Sequence, residues 1–500
     1  MKPSELINFI VDLEKRYPVA EWKIEGVHIW PLLRINLMNT LRNLNLDRSL
    51  IKHRMGVSKK IGQWRRNLNY INFIPDIFAC TADYQQNDRP ACLANAVFLT
   101  YSTSRFFSVE GKRYDAWFDP LITQLHNENF TTFSMEIAPG NEYRIPRFSR
   151  SMFIECYLKM IRIKSLVSSP PRFKKWGNYD SFLCQIKEKG INTKLFSSEC
   201  ISRKFLLVLL ISRFFQKILI KVKPKIGFLV NYYSPVGMAF NLACKKMGII
   251  SCEVQHGIIE HHCAYSRWSK IPPGGYDLLP KMFWTWRQKE KDIIEQWHSL
   301  GMVLTGSNLL AHFFKNKSHE FFAAFQDQIQ KIKEDNQDQI HVLLTLQPGF
   351  GIPAMIVNLI RRTSDCIFWW VRLHPGMFSE EKIILNQLRQ CGTQNWNLEN
   401  ASRLPLYAIL LNVDVHVTSF SSVVIEAEQF GVPSIVTAQF GEEYYRDYIK
   451  RETCYIAFSE ESLENQIKFL TKQRKPIEIK DEFSNDKALN EIFSIISHRG

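Results

Sequence analysis

Three short groups of side chains in this sequence have the types and spacing to do chemistry. The first is Gln255-His256-Gly257, followed by Glu260, His261 and His262. An imidazole titrates near neutrality, so His256 can take a proton from a hydroxyl, and the glycine after it permits a sharp turn. The same cluster packs three histidines and two acids into ten residues, but adjacent His261 and His262 do not match a helical zinc motif. A histidine tied to a backbone carbonyl is the plainer alternative, and it is the expectation for His261 and His262.

The second group is Arg372 with His374-Pro375-Gly376. Alternation along a strand puts Arg372 and His374 on one face, where both can donate to phosphate; the plainer reading is a strand-ending turn. The third is Thr418-Ser419-Phe420-Ser421-Ser422, ahead of a helix carrying Glu426. Hydroxyls at a helix N-terminus make an anion site, because free N–H groups and the helix dipole both favour negative charge. Ser421 or Ser422 also serves as an ordinary N-cap. Glu426, about one turn into the helix, is placed for a ribose hydroxyl or for solvent.

Each group follows an apolar, β-rich run. Runs at 96–101, 131–137, 225–230, 249–254 and 281–286 alternate with helical patterns. After a polar stretch at 327–339, which reads as a linker or exposed helix, strands at 340–346, 366–373, 413–417 and 433–437 alternate with helices at 352–363, 380–390 and 421–430. Strands alternating with helices imply parallel, doubly wound sheets, whose ligands sit beyond the carboxyl ends of the strands. A length of 500 residues exceeds one ordinary core of about 250–300 residues. The expected architecture is α/β: a helical N-terminal extension over 1–90, Rossmann-like domains over 91–330 and 335–480 facing each other, and a tail over 481–500.

Composition narrows the class. At 45% hydrophobic, 13% aromatic and 23% charged residues, the chain is not wholly disordered. Its eleven cysteines are scattered without a C-x-x-C pair, which argues against disulfides and structural zinc and for a reducing cytoplasm. The opening MKPSELINFIVDLEKRYP lacks the pattern of a signal peptide. The net charge of +15 is concentrated at 150–225, where 17 Lys and Arg face four acids. Inside it, 205–220 is the most apolar run, 16 residues broken by Arg213 and Lys217, shorter than the roughly 20 apolar residues that span a bilayer. Such a segment suits either an anionic membrane surface or a buried helix with a solvated basic face. No RNA- or DNA-binding motif is present, so no nucleic-acid partner is expected. Neither a P-loop, a G-x-G-x-x-G turn nor an Asp-x-Asp pair occurs, so no cofactor and no metal are expected.

Arg372-x-His374-Pro375, Thr418-Ser-x-Ser-Ser422 with Glu426, and Gly431-x-Pro433 together resemble the donor domain of GT-B glycosyltransferases. The likeness is strongest to bacterial enzymes of capsule, lipopolysaccharide and teichoic-acid synthesis that use CMP-sugars or CDP-polyols. Gln255-His256-Gly257 is similar to the His-Gly of CDP-glycerol polymerases, in which the histidine is the base. The resemblance spans about 96–470. It implies a GT-B fold and a donor nucleotide held by Arg372, His374, Pro375, Ser419, Ser421, Ser422 and Glu426, without metal.

The resemblance leaves His256 as base, with Glu110, Asp115 and Asp119 as rivals. The acidic-acidic-Gly motif of CMP-sialic acid enzymes is reduced here to Val109-Glu110-Gly111. Ser102, Ser104, Arg105, Asp115, Gln255 and Glu260 are the acceptor-side candidates. The implied activity is inverting transfer of a CMP-activated ulosonic acid, of the Kdo or sialic type, to a growing lipid-linked surface polysaccharide. The enzyme would work at the inner face of the cytoplasmic membrane. A UDP-sugar or CDP-polyol donor, a non-catalytic subunit of the same fold and a non-hydrolysing sugar epimerase are the alternatives.

Overall fold

The computed structural model describes residues 3–45, 93–173, 176–260, 262–315, 323–349, 351–473 and 485–497. Two parallel sheets dominate it. The first holds β1 (Ala96–Tyr101), β2 (Thr132–Ile137), β3 (Met152–Phe153), β4 (Ile226–Leu229), β5 (Ile250–Val254), β6 (Met282–Thr285) and β7 (Met302–Thr305), in the order β7-β6-β5-β4-β1-β2-β3. The second holds β8 (Ile340–Thr345), β9 (Ile367–Arg372), β10 (Trp396–Asn397), β11 (Val415–Thr418), β12 (Ser434–Val436) and β13 (Cys454–Ile456), in the order β10-β9-β8-β11-β12-β13. Helices cover both faces, so central strands such as β9, buried at every position, read as unbroken apolar runs. The expected strands are present. The unanticipated ones, β7, β3, β10 and β13, are the edge strands of the two sheets, with two to four residues each.

The carboxyl ends of β5 and β9 contribute to one cleft between the two sheets. This is the GT-B arrangement of two facing doubly wound domains.

The two N-terminal helices, α1 (Pro3–Arg16) and α2 (Trp30–Asn45), belong to the core of the first domain. Trp22 stacks on Trp176 at 5.2 Å, and Trp30 donates to buried Glu14 at 2.7 Å. Glu14 pairs with buried Arg34 and accepts Ser269 N–H at 2.7 Å, while Arg34 reaches the Cys263 carbonyl at 2.8 Å. The helices therefore brace the loop that follows β5. The expected helical extension from residue 46 to residue 90 lies outside the described residues.

Two helices pack along the first domain, α3 (Glu155–Val167) and α4 (Ser198–Val222). The apolar side of α4, including Phe205, Val208, Ile211, Phe215 and Leu219, is core. That side is consequently not free to meet a membrane; the other side carries Arg203, Lys217 and Lys221 beside half-buried Leu207, Leu210 and Phe214. Among the described residues no helix is long and apolar enough to cross a bilayer. The stretch at 327–339 falls partly in a helix, Ala323–Glu334. The expected C-terminal tail instead carries a helix, Asp486–Ser497, whose Leu489, Ile492 and Ile496 pack with Phe98, Phe118 and Trp284 of the first domain.

Candidate active site in the interdomain cleft

The first-domain wall is built at the end of β5. Glu253 is buried within the strand, and His256 lies two residues beyond the strand's end at Val254. Glu253 accepts Asn231 N–H at 2.9 Å, Tyr232 N–H at 3.0 Å and the Tyr265 hydroxyl at 2.7 Å. Its Oε1 lies 3.5 Å from His256 Nδ1. On the other side of the ring, His256 Nε2 is 3.4 Å from the Tyr233 hydroxyl. Nδ1 makes no hydrogen bond; with a proton held there beside the carboxylate, the Nε2 lone pair is left as a base. Trp117 stands edge-on to the imidazole at 6.0 Å and, with His256, lines the cleft.

The second-domain wall comes from three adjacent strand ends. Thr345, Arg372 and Thr418 are register partners across β9, β8 and β11. Arg372 is buried and donates through Nη1 to the carbonyls of Ala401 and Leu404. Burial pushes its guanidinium down to about 10, against the pull of Glu426 and Tyr407, so it is still charged at neutral pH. Phe106 of the first domain lies 5.3 Å over it. His374 begins a 3-10 turn, Pro375–Glu380, and its Nδ1 accepts Gly376 N–H at 3.0 Å. The residue is exposed to the cleft, and the atoms crowding its ring shift it below its ordinary range by partial desolvation. A neutral imidazole accepting at Nδ1 carries its proton at Nε2, as a donor.

Glu426 lies in Val423–Gln429, a helix of seven residues. It accepts the Tyr407 hydroxyl at 2.7 Å, and burial pushes its carboxyl up to about 7 despite that bond and Arg372. Ser421 Oγ accepts Val423 N–H at 3.3 Å and its own N–H donates to Thr418 Oγ1 at 3.1 Å, while the N-cap position itself falls on Ser422, whose side chain makes no capping bond. Arg372, His374, Pro375, Ser421, Ser422, Glu426 and His256 all line the cleft.

The remaining expected residues lie elsewhere. Asp119 is buried, accepting Arg105 Nη1 at 3.2 Å, Asp115 N–H at 2.7 Å and the Ser149 hydroxyl. Arg105 also reaches Glu136 at 2.9 Å. Burial pushes Asp119 up to about 7, but its oxygens are spent on an interior ion network. Glu110 occupies a hairpin turn with φ 49° ahead of Gly111 at φ 74°, between Phe107–Val109 and Lys112–Tyr114. Neither carboxylate lines the cleft with His256.

Asp115 accepts the Thr100 hydroxyl and Trp117 N–H at 3.0 Å, shaping the turn that presents Trp117. Ser102 and Ser104 are buried in a turn after β1, and Ser104 donates to the Tyr101 carbonyl at 2.6 Å. Gln255 braces the loop by accepting Trp286 N–H at 2.7 Å and donating to Gly257 O at 3.0 Å. Glu260 pairs with Lys289 at 2.6 Å, and Lys289 also reaches Asp447 of the second domain. Ser419 is half-buried beside the cleft-lining residues. His262 is held well below its ordinary range, first by burial and then by Arg42 and His256, while His261 lies outside the described residues.

Sequence reasoning missed Glu253, Tyr233, Phe106, Tyr407 and Arg42. For Glu253 a signal existed: an acid inside an apolar strand, three residues before the histidine. Arg42, in α2, hydrogen-bonds Tyr444 of the second domain; nothing in its neighbourhood marks it.

No protein-family model matches the chain, and no curated protein matches it. Solved structures similar to it include the UDP-GlcNAc 2-epimerase of Methanocaldococcus jannaschii, 13% identical over 80% of this chain and 99% of that one, TM-score 0.45. Another is the UDP-GlcNAc 2-epimerase of Neisseria meningitidis bound to UDP-GlcNAc, 12% identical over 80% and 99%, TM-score 0.44. A third is the wall teichoic acid polymerase TagF, 11% identical over 87% and 98%, TM-score 0.47. At these identities and scores they support no statement about activity. What the chain's own sheets and cleft define is a GT-B-type α/β protein with a two-walled interdomain site.

Proposed function

We propose that this protein is an inverting glycosyltransferase that moves a sugar from a nucleotide donor to a growing, lipid-linked bacterial surface glycan at the inner face of the cytoplasmic membrane. One observation carries the reading: a His–Glu pair on one wall of the cleft faces an Arg, a donor His and a Glu on the other. His256 Nε2 takes the acceptor hydroxyl proton, and that oxygen forms the new bond to the anomeric carbon. The bond from that carbon to the nucleotide phosphate breaks, its electron pair leaves with the phosphate, and configuration inverts. Arg372 and the Nε2–H of His374 meet the departing charge with Ser421 and Ser422. Glu426, beside Tyr407, is within the second wall to accept from a ribose hydroxyl. No metal enters the scheme.

The donor we favour is a CMP-activated ulosonic acid of the Kdo or sialic type. A thermal-shift titration with CMP, CDP, UMP, UDP and GDP, each with and without EDTA, tests this. A nucleotide at a hundred times its dissociation constant adds about 2.7 kcal/mol. Selective stabilisation by CMP in EDTA supports the reading. Selective binding of UDP keeps the transferase and discards the donor. No response to any nucleotide overturns both, as does unchanged turnover in His374→Ala.

A further inference from the structure

Helices α3 and α4 lie side by side in opposite directions. Tyr157 stacks on Phe214 at 5.4 Å, and Arg203 of α4 reaches the Leu166 carbonyl of α3 at 3.5 Å. Together they carry eight Lys and Arg and two acids. Both acids are engaged: Glu155 is buried against Arg162 at 2.9 Å, and Glu199 pairs with Arg203 at 3.5 Å. On the side of α4 that borders α3, Arg203, Leu207, Leu210, Phe214, Lys217 and Lys221 recur at three- and four-residue spacing, which places them on one stripe, with Leu207 and Phe214 partly packed against the core. Its cations are exposed or partly so, and its apolar members are half-buried. On α3, Met160, Leu166 and Val167 stand 48%, 64% and 82% exposed. Aliphatic side chains held in water among cations match the two attractions of an anionic bilayer, apolar insertion and lipid phosphate.

We propose that the outer face of the α3–α4 pair docks on an anionic lipid surface, with Met160, Leu166 and Val167 entering the headgroup region and Lys217 and Lys221 on lipid phosphates. The inference deepens the reading of a lipid-linked acceptor and rests on it, yet its test needs no turnover.

The full chain is sedimented with phosphatidylcholine vesicles and with vesicles enriched in phosphatidylglycerol. It binds the anionic vesicles, more weakly as salt rises. Each cation near the surface is worth about five-fold, so Lys217→Gln/Lys221→Gln weakens binding about 25-fold. Leu166→Ser/Val167→Ser weakens it as well. Both variants alter exposed positions away from the cleft, so melting temperature and nucleotide-induced stabilisation stay as in the parent. The proposal is overturned if the chain ignores anionic vesicles, if both double variants bind like the parent, or if it is held by heparin but by no vesicle. Failure of the transferase reading shows separately, as absence of nucleotide stabilisation with vesicle binding intact.

Discussion

Replacing Glu426 with glutamine should stabilise the free protein at pH 8 and leave it nearly unchanged at pH 5. Glu426 is buried beside Tyr407 and Arg372, and burial raises its carboxyl from an ordinary 4.5 to about 7. A carboxyl raised in the fold binds its proton more tightly there than in the unfolded chain. Stability therefore falls as pH climbs from about 4.5 to about 7, and above that window the native state bears the whole cost of ionisation. A rise of roughly 2.5 pH units at about 1.4 kcal/mol each makes that cost about 3 kcal/mol. Glutamine keeps an acceptor for the Tyr407 hydroxyl, bonded at 2.7 Å, and never ionises. Asp119 is raised to about 7 as well, but it is common to both proteins and cancels in the comparison. Urea unfolding of parent and variant at pH 5 and pH 8 reads the difference. A gain of the same size at both pH values, or a loss that grows with pH, would refute the argument that burial governs this carboxyl.

His256→Ala should lower turnover by about 10²- to 10⁴-fold while nucleotide stabilisation persists; steady-state kinetics beside a thermal titration separate the two, and unchanged turnover assigns the base elsewhere. Glu253→Gln should lower kcat with nucleotide stabilisation intact, because the carboxylate lies 3.5 Å from His256 Nδ1; an unaltered kcat leaves Glu253 only its backbone-holding role. Arg105→Met leaves buried Asp119 and Glu136 without their shared cation and should cost about 3–5 kcal/mol in urea unfolding; a loss under about 1 kcal/mol would show that the network is not tightly coupled. Gly237→Ala would set a Cβ 2.7 Å from the Asn231 carbonyl and 2.8 Å from Tyr232 Cα. Rigid backbone cannot yield cheaply, so a loss of about 1–3 kcal/mol is expected, with reduced activity because Asn231 and Tyr232 N–H groups hold Glu253; parent-like stability and rate would contradict it.

Much of the fold can be read from the chain because a parallel strand buried on both faces must be apolar throughout. The run Ile367–Val371 announces itself that way, while Val415–Thr418 buries His416 and Thr418 between valines; the ends of the two strands locate Arg372, His374, Ser421 and Glu426. Met302–Thr305 and Cys454–Ile456 are edge strands, only partly buried at two positions each, so neither shows the unbroken burial that marks a central strand. Local order alone could not separate carboxylates that start helices or turns from those that serve a site. Asp119 joins an ion network with Arg105 and Ser149, and Glu110 turns a hairpin. The hydrophobicity of α4 was plain; which side faced the core was not, since that depends on what packs against it.

The sequence by itself determined the alternation of strands and helices, and with it the positions of His256 and Arg372 at strand ends, because burial and turn chemistry act over a few residues. Only the tertiary structure decided that Glu253 backs His256. The groups holding that carboxylate come from residues 231, 232 and 265, and only packing of separate chain segments brings them to one point.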